Sequence, residues 1–251
     1  MIMYKELIRK QIDSYVHEYI QFMGIGSFPA FDLQFKEVSL SKADSQGFEV
    51  PAYTFYQIQP QKHTLVISTN IELSKHLMFH EFTHILDSAL YVNGDNKRYA
   101  GLSGYTEYHA SQVELAQLLG ASTTNDIPAF SMNTIISTFT GNKSVSQYVR
   151  EKQQHAIELF SRDDFPANIS TLKTAVGILY NYWGLRSICE MYATDFTETI
   201  DNSAFLKFIP TTLFITSNNL MHGWLNQTSI ELSIPVYTYI VFPVIQDYKL
   251  I

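Results

Sequence analysis

The sequence predicts an α+β fold: an N-terminal helix and a small sheet of three or more strands packed on a central helix, then a mostly helical C-terminal half. Residues 3–23 carry apolar side chains at helical spacing and stop at Gly24 and Gly26. Residues 31–40, 48–59 and 64–69 alternate or run continuously in apolar side chains, with Asp44, Ser45, Gly47 and Pro60 marking the turns between them. Such runs suit strands, and 64–69 is a candidate edge strand. From about Asn70 to Tyr91 the spacing returns to helical.

That central helix contains His80-Glu81-Phe82-Thr83-His84. Two histidines four apart on a helix stack on one face, so both imidazoles can bind one zinc ion while Glu81 meets its water as general base. The flanking Leu77, Met78, Phe79, Ile85 and Leu86 are uncharged, as a buried helix requires. His76, four before His80, suits a cleft rim or a packing contact better than a metal ligand.

A site of this kind needs a third protein ligand and one open position. Residues 105–120 form a second amphipathic helix with Gly120 as its C-terminal stop, and Glu107 in its first turn can reach a metal held by the first helix. Glu114, seven positions on and on nearly the same face, is the alternative ligand. His109 should point away from the metal. Between the two helices, 93–98 is polar and turn-forming, and Gly101 and Gly104 flank Ser103, which suits a mobile loop near the cleft.

HEFTH followed by Glu107-Tyr108-His109-Ala110-Ser111 and an aliphatic tail resembles the gluzincin pattern HExxH…ExxA(D/N)…LL over residues 60–120. ImmA/IrrE-type regulatory metallopeptidases and the membrane-bound peptidases that process prenylated proteins share that pattern, and small prophage and mobile-element proteins also look like this stretch. The resemblance implies a zincin-like fold with His80, His84 and Glu107 as zinc ligands and Glu81 as general base. One position departs from it. Where the family places Asp or Asn to orient a ligating histidine, this chain has Ser111, and Asp87, three after His84, is the best replacement.

The chain divides into a catalytic region, 1–122, and a helical subdomain, 123–251, with helices at about 144–162, 169–182, 185–195, 202–216 and 218–225. The second part either walls the cleft or forms a separate partner-binding module. Gluzincins often take an oxyanion donor from it, and His155, Tyr182 and His222 are the candidates.

A net charge of −7 without a basic cluster argues against nucleic acid as a partner. The single Cys189 excludes an internal disulfide and a thiolate cluster. The N-terminus mixes charge with apolar residues and does not read as a secretion signal. Residues 234–245, interrupted by Pro235 and Pro243, are too short to span a bilayer. The expectation is a cytoplasmic zinc metallopeptidase acting on a protein or peptide, by limited cleavage of a regulatory protein, with no membrane partner and its oligomeric state open. Two alternatives stand beside it: an inert zincin-like binding protein with a structural metal, and a zinc hydrolase with a non-peptide substrate.

Overall fold

The computed structural model describes residues 2–37, 51–198 and 202–250. Helix α1 (Ile2–Met23) ends at Gly24, whose φ of 65° closes the helix in the left-handed region. Strands β1 (Phe31–Lys36), β2 (Ala52–Gln57) and β3 (Lys62–Ser68) form a mixed sheet in the order β1-β3-β2, with β1 parallel and β2 antiparallel to β3. The candidate edge is therefore corrected: β3 is the centre, and among the described residues β1 and β2 are the edges. Leu65, Val66 and Ile67 are all buried because a central strand is covered on both faces, which explains its continuous apolar run. The ends of the expected strands at 38–40 and 48–50, and the turn markers Asp44, Ser45 and Gly47, lie outside the described residues.

Helix α2 (Lys75–Tyr91) carries HEFTH and begins five residues later than its spacing suggested. Only Val92 to Asp95 connect it to α3 (Asn96–Leu118). Asn93 and Gly94 adopt φ values of 51° and 73°, and Asp95 caps α3 by accepting from the Lys97 and Arg98 amides. The expected mobile loop is thus a tight turn, and Glu107 sits in mid-helix rather than in a first turn.

The glycines read as loop markers are contact points between helices. A Cβ on Gly104 would lie 2.5 Å from Tyr237 Cδ2 and 2.7 Å from Tyr180 Cε1, and one on Gly101 would lie 2.6 Å from Ile234 Cγ2. Tyr180 belongs to α5 (Ile169–Tyr192), and Ile234 and Tyr237 to α8 (Gln227–Asp247). Gly104→Ala should therefore destabilise the fold by about 1–3 kcal/mol through overpacking, read as a lower denaturation midpoint. An unchanged midpoint would show that the helices can separate without loss. At Gly184 a Cβ would overlap the Tyr108 carbonyl and approach Ser111 Cβ to 3.0 Å. Hence α5 runs unbroken where two helices were expected: the glycine is where it crosses α3, not where it stops.

The hairpin of β4 (Ile135–Thr138) and β5 (Gly141–Ser144), too short to leave a pattern in the sequence, leads into α4 (Val145–Phe160) through the Ser144 cap. Short helices α6 (Ser203–Leu206) and α7 (Thr211–Leu220) precede α8. At 21 residues and a mean hydropathy of 1.4 in its most apolar stretch, α8 is long and apolar enough to cross a membrane, which corrects the expectation from 234–245. It packs on α3 and α7, with 39% of that stretch buried. Pro235 is exposed, and the carbonyls that the two prolines release belong to Glu231 and Tyr239, both exposed, so water can satisfy them. One core cluster runs from Ile8 through Phe82 and Trp183 to Val244, so α4, α5 and α8 continue the core of the first half.

Candidate metal centre

Helix periodicity alone sets His80 and His84 side by side: their ring centroids are 4.9 Å apart. Because α3 returns along α2, Glu107 comes between them. Its Oε2 lies 3.6 Å from His80 Nε2 and 3.7 Å from His84 Nε2. These distances fall just outside hydrogen-bonding reach. They are close to the roughly 3.4 Å expected of two donors that each sit 2.0–2.1 Å from one tetrahedral ion. His80, His84 and Glu107 thus form a group that could hold a metal ion, and among the described residues no fourth His, Cys, Asp or Glu joins it.

The Nδ1 atoms of both histidines are engaged, which leaves their Nε2 atoms to face an ion. His80 Nδ1 is 2.8 Å from Glu114 Oε2, and His84 Nδ1 is 2.9 Å from Thr106 Oγ1. Glu107 is hydrogen-bonded by the Asn181 side chain of α5, and the Ser111 hydroxyl donates to Asn181 Oδ1 at 2.7 Å. Ser111 therefore serves the carboxylate through Asn181 and touches neither histidine. Glu114, the alternative ligand, occupies the far side of the His80 ring from the triad. Its second oxygen accepts from the Tyr148 hydroxyl of α4.

Burial lowers both imidazoles, but the two differ in what surrounds them. At His84 burial prevails and its pKa falls to about 4; at His80 the Glu107 and Glu114 carboxylates outweigh burial and hold it well above the usual range. Burial would raise Glu107, yet His84 and His80 outweigh it and hold that carboxyl low. Glu81 is the exception among the acids. Burial raises its pKa to about 7, only partly opposed by His80 and by a hydrogen bond to Thr54 of β2.

The other residues singled out in the sequence lie elsewhere. His76 is buried, bonds Ser74 and stacks on Phe139 at the hairpin tip, 6.4 Å between centroids. Asp87 is fully buried, but its partner is His109 Nδ1 at 3.0 Å, so it orients neither His80 nor His84. Tyr182 donates to Glu198, and His222 is held between Arg186 and Glu190, so both belong to an ion network around Arg186 rather than to the triad. Burial lowers His155 to about 4. Cys189 is buried and burial pushes its thiol up to about 12, an inert core group.

Four residues at the site escaped the sequence: Thr54, Thr106, Asn181 and Tyr148. Thr106 was adjacent to Glu107 and could have been suspected from that position. The others come from distant elements and leave no local signal. Comparison with family models, with curated proteins and with solved structures finds no match to this chain.

Proposed function

We propose that the chain is a zinc-dependent metallopeptidase of gluzincin type, cutting a protein or peptide at a limited number of sites. The observation that carries this reading is the triad: two Nε2 atoms face one carboxylate oxygen while the Nδ1 atom of each histidine has a partner of its own. His80, His84 and Glu107 would hold the ion, as borderline N and O ligands suit zinc. Zinc bound there supplies a Lewis acid for the scissile carbonyl and makes water acidic enough to attack near neutral pH.

Glu81 would accept a proton from the attacking water and pass it to the leaving amine. In the metal-free protein burial raises this carboxyl, and a cation held by the triad would draw it back toward the ionised form that a general base needs. The Thr54 hydroxyl steadies the carboxylate from β2. That strand also offers a backbone to the substrate. The Tyr56 amide points away from β3 and reaches Tyr99 Oη at 3.4 Å, so by the two-residue alternation the peptide groups of Thr54 point outward too. An extended substrate strand can pair with this edge and run past Glu81.

A structural metal would need a fourth protein ligand, and the two candidates for it, His76 and Asp87, are engaged elsewhere. This favours the enzyme over the inert binding protein. The test combines metal content with cleavage. Purified protein should retain about one zinc per chain and Glu107→Ala almost none. In a host lysate, the zinc-loaded protein should generate new N-termini that chelator treatment removes. Zinc retention equal in wild type and Glu107→Ala would refute the ligand set. A lysate without new termini would refute the peptidase.

A further inference from the structure

We propose that Glu114 and Tyr148 form a positioning relay for His80, through which the C-terminal half sets how tightly the triad holds its ion. The inference rests on the metal reading above and concerns residues beyond the ligands and the base. Glu114 Oε2 meets His80 Nδ1 at 2.8 Å, while the Tyr148 hydroxyl occupies Oε1. With both oxygens engaged, the carboxylate cannot turn, and Oε2 stays aimed at the ring. The Glu114 side chain is 3% exposed against 31% for Glu107, so water does not compete for it.

A carboxylate on Nδ1 keeps a proton there, so that it is Nε2, on the side of Glu107, that an ion would take, and makes the ring a stronger donor. His84 has only the Thr106 hydroxyl in the corresponding place. The two histidines are therefore unequal, and His80 is the one held by charge. Tyr148 follows the β4–β5 hairpin directly. Lys143 of β5 stands 5.9 Å over its ring, and Phe139 at the hairpin tip stacks on His76 one helical turn before His80. Hairpin and α4 together thus brace α2 at the ligand.

The experiment titrates full-length wild type, Glu114→Gln and Tyr148→Phe with zinc against a chromophoric chelator, and follows the His80 ring N–H proton by NMR. Glu114→Gln should weaken zinc binding about 10–100-fold. Tyr148→Phe should weaken it less, in the same direction, and carries the test alone if Glu114→Gln does not fold. In the metal-free protein the His80 Nδ1 proton should resonate far downfield, as a hydrogen bond to a carboxylate requires, and both variants should move it upfield; a merely structural role for Glu114 would not move that signature. If wild type binds zinc while neither affinity nor that proton responds in either variant, the relay is refuted and the metal reading stands. If wild type takes up no zinc but that proton responds in both variants, the metal reading falls and the positioning of His80 stands. A cobalt spectrum in which Glu114→Gln alters the number of ligands would make Glu114 a ligand and overturn the relay.

Discussion

Glu81→Gln should lower hydrolysis by at least about 10²-fold, and up to about 10⁴-fold, while leaving zinc content and fold unchanged. The amide keeps the volume of the side chain and can still bond Thr54, but it cannot take a proton from water. Zinc should be retained because Glu81 is not one of the three residues that could hold it. Stability should not fall either. Burial raises the Glu81 carboxyl to about 7, so above that pH the metal-free fold holds a charge it disfavours, and the neutral amide removes that penalty. Paired cleavage assays, metal analysis and thermal melts of both proteins check all three parts. Cleavage at the wild-type rate by the variant would end the general-base assignment.

Arg186→Ala should destabilise the fold by about 3–5 kcal/mol, toward the lower end because its acidic partners are about a quarter exposed. The guanidinium itself is wholly buried. It lies 3.3 Å from Glu190 and 3.4 Å from Glu198, and donates to Asn218 Oδ1 at 2.6 Å and to the Met221 carbonyl at 3.2 Å. Truncation removes the cation from both acids and strands a buried carbonyl. Against a typical total of about 5–15 kcal/mol, such a loss is large. Urea unfolding should show a lower midpoint at constant slope, with Arg186→Lys in between because one ammonium cannot replace a fork of five donors. A loss under about 1 kcal/mol would mean that the network is incidental.

The pairing of His80 and His84 was readable because its geometry is local: four residues on a helix place two side chains on one face whatever the rest of the chain does. Which of two acids on α3 joins them was not. Glu107 and Glu114 differ by seven positions and share a face, and only the packing of α3 on α2 decides that the first meets the Nε2 atoms and the second Nδ1. Gly101 and Gly104 misled for a related reason. An interior glycine disfavours a helix by about 1 kcal/mol relative to Ala. The neighbouring helix whose close approach offsets that is invisible in the local sequence. The α+β class followed from periodicities that were strong, whereas strand order, which put β3 in the centre, depends on pairing across the chain.

The Asn93–Gly94 turn has a kinetic consequence. By joining α2 to α3 through so few residues, it makes His84 and Thr106 neighbours over a separation of 22, and His80 and Glu114 over 34, whereas Ser111 reaches Asn181 across 70. Closing short loops loses less chain entropy, so contacts between the two helices can form before those to α5. The ligand faces would then meet early as a loose helical hairpin, and gain their rigidity only when the last third of the chain docks behind them.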